Sequence, residues 1–203
     1  MLRKSGLWCG IIGPVLWLAL IAIAGVLRPD FSHVTHYISE LAERGSTTEA
    51  LMRYGAFVFT GLLYVCCAGA LLVTLQGGWL VKAASVLIAL EGIGRIGAGI
   101  FPCDPGCIQV SPGPDLHRLF ATVGFCSGIL ATFSWGFVLR RRRALSSFSV
   151  ACGAVALVSL LLMSFASAPR LPSGLLEHLA TVALSVWLLV LARTEVPQRL
   201  IKA

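Results

Sequence analysis

The chain has 203 residues, of which 57% are hydrophobic and 12% charged, and its formal net charge is +7. A mean hydropathy of +0.88 excludes a soluble globular protein. The hydrocarbon core of a bilayer is about 30 Å thick, so a helix needs roughly 20 apolar residues to cross it. Stretches of that length predict transmembrane helices at about 7–27, 54–75, 79–101, 116–139, 146–166 and 174–192. We therefore predict an all-α bundle of six spans that forms a single membrane domain over residues 1–203.

The basic residues gather at one membrane face if the spans alternate in direction. That face carries Arg3, Lys4, Lys82, Arg140, Arg141, Arg142, Arg143, Arg193, Arg199 and Lys202, whereas the opposite connections carry Arg28, Arg44, Arg53 and Arg170. The positive-inside rule then predicts that both termini are cytoplasmic and that the protein lies in the cell (inner) membrane. The net charge is explained by arginines at anionic lipid head groups, and nucleic acid is not predicted as a partner because no soluble basic domain presents such a surface.

The connection between the first two spans is polar and long. After Pro29, apolar or aromatic residues recur at Phe31, Val34, Tyr37, Ile38 and Leu41. This is helical spacing, and His33, His36, Glu40 and Glu43 occupy much of the remaining surface. The pattern predicts an amphipathic helix that lies across the outer mouth of the bundle and ends at Gly45.

Two cysteines lie in the second outer connection. Cys103 and Cys107 are separated by three residues, whereas the other five cysteines fall within apolar spans. In an oxidising compartment, a structural disulfide is the favoured interpretation, and closing so short a loop contributes roughly 2 kcal/mol. A redox-active pair is the alternative, although the redox spacing C-x-x-C is missing from this loop.

All four histidines fall at the outer level of the membrane, together with several carboxylates. The candidate metal ligands are His36, Asp104, His117 and His178, and the same residues with Ser39 and Glu40 are the candidate catalytic groups. Imidazole and carboxylate from separate elements are what a zinc site with an open water position requires, and they also suit metal-free general acid–base catalysis. The alternative is that these groups only cap helices or meet interfacial water.

Glu91 and Arg95 are charged residues inside the third span. They are four residues apart, so they share one helix face and can pair. Each charge costs roughly 3 kcal/mol in a membrane unless it is compensated. One interpretation is a structural pair that sets helix register; the other is a polar floor beneath the outer site, which contacts a lipid head group or relays protons. We include Glu91, Arg95, Arg118 and Glu177 as candidate substrate-binding residues.

Several short motifs occur in a recognisable order. They are His36-Tyr37-Ile38-Ser39-Glu40-Leu41 after the first span, Phe101-Pro102-Cys103-Asp104 at the end of the glycine-rich third span, and His117 at the start of the fourth. Together they resemble a family of small bacterial and archaeal membrane proteins catalogued as domain of unknown function 998, which implies about six spans. The I-S-E run is also similar to the P-Y-I-S-D element of the Frag/DRAM/Sfk membrane family, some members of which act in lipid-anchor remodelling; here His36 replaces the proline.

A weaker similarity connects the chain to the alkaline-ceramidase and adiponectin-receptor superfamily, whose membrane-embedded zinc is held by histidines near an aspartate and a serine. The chain departs from that pattern because it has six predicted spans rather than seven and no H-x-x-x-H in the last. By this analogy the first hypothesis is a metal-dependent lipid hydrolase. The alternatives are a non-catalytic lipid-binding subunit or partner of a membrane complex, and a small transporter that works as a homo-oligomer.

Overall fold

The computed structural model describes residues 2–74, 78–107, 113–164 and 172–200, with backbone only for 2–4, 114 and 195–200. The long α-helices are α1 (Leu2–Leu27), α2 (Thr60–Thr74), α3 (Trp79–Ile100), α4 (Gly113–Val138), α5 (Arg143–Ser164) and α6 (Ser173–Leu200). A π-helical segment, Leu51–Phe59, runs directly into α2, and short 3-10 helices cover Ile38–Ala42 and Pro105–Cys107. All regular structure within the described residues is therefore helical, as the sequence predicts.

Within the part of the chain that the structure describes, six segments are long and apolar enough to cross a membrane. They are Ser5–Leu27, Leu51–Thr74, Trp79–Ile100, Asp115–Val138, Arg143–Ser164 and Ser173–Thr194. Each contains one of the six predicted spans apart from small shifts at the ends, so the fold class and the multi-pass membrane character are confirmed. The predicted ends at Leu75 and Ala166 lie outside the described residues, as do Arg170 and Lys202.

The helices form a closed ring in chain order. Each of α1 to α5 packs against the next helix, and α6 returns to contact α1. The connections 28–50 and 101–107 and the start of α6 meet at one end of this ring, where the Arg44 N–H donates to the Cys103 carbonyl and the Leu175 N–H to the Val34 carbonyl. We call this the histidine end, and the opposite end, which carries the four arginines of the α4–α5 turn, the arginine end.

Glycine permits an unusually close approach of α3 to α4. A Cβ atom added to Gly94 would lie 2.5 Å from both the Cα and the N of Gly124, and 2.6 Å from the carbonyl oxygen of Phe120. Real Cβ atoms do not approach backbone so closely. Gly94 thus permits backbone-to-backbone packing of α3 and α4, a device common in membranes.

The core has two main parts at different depths. Toward the arginine end, Tyr64, Trp135 and Trp187 are fully buried among aliphatic side chains. Toward the histidine end, Trp17 and Met52 pack with Ile38 and Leu41. Because these last two come from the connection after α1, that connection belongs to the core of the bundle and does not simply lie on its surface.

The connection between α1 and the second span differs from its predicted form. The helix there is a 3-10 helix of five residues, Ile38–Ala42, and turns and bends precede it. Glu40 and Glu43, which we expected on the polar exposed face, are buried. The physical reason is that both carboxylates have fixed partners: Glu40 accepts from the Tyr37 N–H, and Glu43 pairs with Arg28.

Candidate functional site

The connection 28–50 closes the histidine end through one central arginine. The Nη2 of Arg28 donates to Oε1 of Glu43 at 2.6 Å, and its Nη1 donates to the carbonyl of Glu40 at 2.5 Å. The second carboxylate oxygen of Glu43 accepts from the Gly106 N–H at 2.5 Å. Arg28 and Glu43 thereby join the connections 28–50 and 101–107 into a single cover.

The cover is also attached to the first turns of α6. The Ile38 N–H donates to Oε2 of Glu177 at 2.7 Å, and the Ser173 hydroxyl donates to the Thr35 carbonyl. At Gly174 a Cβ atom would collide with the backbone of His36, so only glycine allows this approach. The contacts of Ser173 and Gly174 with the cover thus position Glu177, in the first turn of α6, beneath it.

A carboxylate just before the second span holds the end of the connection in place. Oε2 of Glu49 accepts from the Gly45 N–H, and Oε1 pairs with Arg53 at 2.6 Å. The Gly45 N–H and then the Arg53 guanidinium lower the pKa of Glu49 from its usual value, against the opposing effect of burial. Arg53 also donates to the carbonyls of Gly99 and Ile100, so it ties the π-helical segment to the end of α3.

Cys103 and Cys107 form a disulfide in the structure. Cys103 is buried against the carbonyl of Ser39, and the Cys107 sulfur lies 3.4 Å from the Ser39 hydroxyl. In the tight turn that the disulfide closes, Gly106 and Cys107 adopt positive φ angles of 68° and 52°. The disulfide therefore contacts both the hydroxyl and the carbonyl of Ser39.

We expect loss of this disulfide to affect the cover more than the bundle. Replacing Cys103 and Cys107 together by serine should reduce the free energy of unfolding by about 2 kcal/mol at most, because the closed loop is short. An impermeant thiol reagent applied to intact cells should label the wild type only after reduction, and should not label the double variant. Cys66→Ser, which removes an exposed thiol from a span, is the control and should label as the wild type does. Labelling of the wild type before reduction would contradict the disulfide.

Beneath the cover lies a cavity of about 50 Å³. Its polar lining residues are Ser39, Glu91, Arg95, His117, Glu177 and Thr181, and aromatic rings from Trp17, Phe57 and Phe125 line it as well. One water molecule needs only about 10–15 Å³ of such a cavity, so there is room for several waters or one small polar group. It extends from the cover at Ser39 down to the intramembrane charges of α3.

The Glu91–Arg95 pair forms the floor of the cavity. Arg95 Nη2 donates to Glu91 Oε1 at 3.1 Å, and Glu91 is only 2% exposed. The Arg95 guanidinium lies between the rings of Trp17 and Tyr64, 4.4 Å from each centroid. Among the described residues, Glu91 Oε2 and Arg95 Nε and Nη1 have no hydrogen-bond partner. The predicted pairing is therefore present, and it leaves hydrogen-bonding capacity unused on both partners.

His117 is held in one orientation by backbone carbonyls. Its Nδ1 lies 3.0 Å from the oxygen of Ala98 and 2.9 Å from that of Phe101, and both of these groups can only accept. In the neutral imidazole the proton is thus on Nδ1, and Nε2 carries a lone pair. This is the tautomer that a general base or a metal ligand requires.

The structure does not bring the proposed metal ligands together. Among the described residues, no group of three or more His, Cys, Asp or Glu side chains is arranged to hold a metal ion. His178 contacts His33 instead, with 2.9 Å between Nε2 and Nδ1, and His36 Nδ1 accepts from the Ser32 N–H. Asp104 is buried, and its Oδ1 lies 3.9 Å from Nε of Arg44. A zinc site stays a prediction.

The other candidates divide into those that line the cavity and those that do not. Ser39 and Glu177 line it together with Glu91 and Arg95. Arg118 is exposed and pairs with Asp115 at 2.6 Å, one turn of α4 away. Glu40 is buried in the cover and bonded to the Tyr37 N–H.

Sequence reasoning missed the aromatic and hydroxyl groups of the site. Trp17 and Tyr64 stack on Arg95, but each lies in a span that is apolar around its whole circumference, and neither has a neighbour in sequence that marks it. Thr181 did have a signal. It follows Glu177 by four residues, so the two side chains share a face of α6.

The family model described as "Protein of unknown function (DUF998)" matches residues 11–194. The chain belongs to this family. The range of the DUF998 match includes every cavity-lining residue, from Trp17 on α1 to Thr181 on α6. No curated protein and no solved structure matches the chain. The similarity of this DUF998 protein to the Frag/DRAM/Sfk family stays a prediction.

Proposed function

We propose that this membrane protein binds a lipid or lipid-linked molecule whose polar head enters the cavity at the histidine end. The observation that carries the proposal is Arg95. Its guanidinium is clamped between Trp17 and Tyr64, lines the cavity, and has two nitrogens without a partner among the described residues. An intramembrane cation held in this way is a ready-made recognition group.

The surroundings of Arg95 fit a ligand that is mostly apolar. The cavity is closed at the floor by an ion pair, and its walls include Trp17, Phe57 and Phe125. Binding sites for small molecules typically combine an apolar lining with a few convergent polar groups. A molecule with a hydrocarbon tail is already concentrated in the bilayer beside such a cavity. The lining of the cavity and its location in the membrane therefore both favour a lipid ligand.

The orientation of the site completes the proposal. The arginine end carries Arg140, Arg141 and Arg142, which are exposed in the turn between α4 and α5. By the positive-inside rule we assign this end to the cytoplasm and the histidine end to the outer leaflet of the cell membrane. The disulfide of Cys103 and Cys107 at the histidine end agrees with an oxidising outer compartment.

The experiment compares lipid retained by purified wild type and by Arg95→Lys. Lysine keeps the positive charge beside Glu91 but lacks the planar fork that stacks on two rings, so the substitution tests recognition with little risk of unbalancing the charges. We expect bound lipid, measured by native mass spectrometry and by extraction, to fall on the order of tenfold. Arg118→Lys, which changes an arginine at the same end outside the cavity, is the matched control and should retain lipid. Equal retention by Arg95→Lys and wild type would refute the proposal.

Catalysis on the bound molecule is the second candidate, and the tautomer of His117 favours it. With Nδ1 bonded to carbonyls, the lone pair of Nε2 is available to take a proton from water in a hydrolysis. The test is turnover of lipid esters or amides by wild type and by His117→Gln. Elemental analysis of both proteins would show whether a metal takes part. Lipid retention without turnover would leave the binding function and remove the catalytic one.

A further inference from the structure

We infer that the head group recognised in this cavity is an uncharged hydroxyl, so that the ligand class is long-chain alcohols and acylglycerols rather than phospholipids or fatty acids. This inference rests on the proposed binding function and specifies its ligand. It follows from the net charge of the groups that line the cavity, and from the donors of Arg95 and the acceptor of Glu91 that have no hydrogen-bond partner among the described residues.

The groups that line the cavity carry no net positive charge. Glu91 and Arg95 on α3 form an ion pair, and α6 adds the carboxylate of Glu177. The remaining titratable lining group is His117 on α4. With the neutral imidazole of His117, the lining charges sum to zero if the Glu177 carboxyl group is protonated and to −1 if it is ionised. An anionic head group would therefore find no net positive charge and would meet at least the Glu91 carboxylate inside the membrane, where charge interactions are poorly screened.

The hydrogen-bonding groups without a partner at the cavity floor include both donors and an acceptor. Glu91 Oε2 can only accept when the carboxylate is ionised, whereas Arg95 Nε and Nη1 can only donate. A phosphate or carboxylate would satisfy the arginine but not the glutamate, and an ammonium group would do the reverse. A hydroxyl group donates one proton and accepts through its lone pairs, so it satisfies both partners without adding charge.

The size of the cavity agrees with a small head. A volume of about 50 Å³ holds a few water molecules, which suits a hydroxyl on a carbon chain. Ser39 and Thr181, at the cover and on α6, line the same space and add neutral donors and acceptors. The apolar walls then receive the first carbons of the chain.

The test uses single-chain ligands that differ only in the head: oleyl alcohol, oleylamine, oleate and monooleyl phosphate. Each is added to purified wild type in detergent, and occupancy is measured by native mass spectrometry. We expect the alcohol to bind on the order of tenfold more tightly than the others, because only it satisfies both charged groups. In Glu91→Gln the repulsion from this one carboxylate is removed while the shape is kept, so oleate and monooleyl phosphate should gain affinity relative to the alcohol.

The outcomes separate this inference from the function on which it rests. If oleate, monooleyl phosphate or oleylamine binds wild type as tightly as oleyl alcohol, the hydroxyl inference is wrong and the lipid-binding proposal stands. If none of the four binds, or all bind Arg95→Lys as well as wild type, both are wrong. The wild-type comparison does not depend on the folding of any variant.

Discussion

Gly94→Ala should strongly destabilise the bundle. The added Cβ would meet the backbone of Gly124 at 2.5 Å, and backbone atoms cannot rotate away as a side chain does. The spans α3 and α4 must therefore separate, with loss of their backbone contact at Gly94. Overpacking of this kind costs about 1–3 kcal/mol, and we expect the upper end of that range because the contact is backbone to backbone. Thermal unfolding of the detergent-purified protein, followed by size-exclusion chromatography, measures the effect.

Two other glycines provide controls. Gly69 lies away from the α3–α4 contact, and Gly124 lies within it. Gly69 on α2 has nothing within 4 Å of its added Cβ, so Gly69→Ala should be silent. Gly124 lies on the other side of the same α3–α4 contact, but its added Cβ would lie 3.5 Å from its nearest neighbours, an ordinary distance. Gly124→Ala should therefore be tolerated where Gly94→Ala is not. Equal destabilisation by the two substitutions would show that the helices approach in a different register.

Glu91→Leu should destabilise the protein by about 3–5 kcal/mol, which is the usual cost of leaving one buried charge without its partner. The carboxylate is the sole ion-pair partner recorded for Arg95 within the described residues. Stacking on Trp17 and Tyr64 compensates only part of the desolvation of a guanidinium. The measurement is the free energy of unfolding in mixed detergent, compared with wild type.

The double variant Glu91→Leu with Arg95→Met is the matched control. It removes both charges and keeps approximate volume, and it should recover most of the stability lost in Glu91→Leu. If the double variant is as unstable as the single one, the loss comes from packing around Glu91 and not from the unpaired arginine. That result would also weaken the electrostatic basis of the site.

The same double variant separates the two interpretations of the pair. A pair that only sets helix register should be replaceable by apolar residues with no loss beyond stability. A recognition site should lose its bound lipid even when stability is recovered, because the arginine donors are gone. The unpartnered atoms of Glu91 and Arg95 favour the second interpretation.

Much of the architecture was determined by the sequence alone. The six spans follow from hydropathy because backbone polar groups in a bilayer must be satisfied within a helix, which leaves the chain no other regular choice. The pairing of Glu91 with Arg95 follows from the helical repeat, and the proximity of Cys103 to Cys107 follows from their short separation. All of these are local relations, in which distance along the chain limits distance in space.

The tertiary structure decided which side chains share the site. Hydropathy places a span at a depth but does not specify its rotation when the helix is apolar on every side, so the stacking of Trp17 and Tyr64 on Arg95 could not be predicted. For the same reason, depth alone grouped histidines that the structure separates. His178 contacts His33, whereas His117 lines the cavity. Glu43 is buried because Arg28 and Gly106, distant in sequence, converge on its carboxylate. Depth in the membrane is a property of each segment, whereas these contacts depend on how the packed helices and connections turn toward one another.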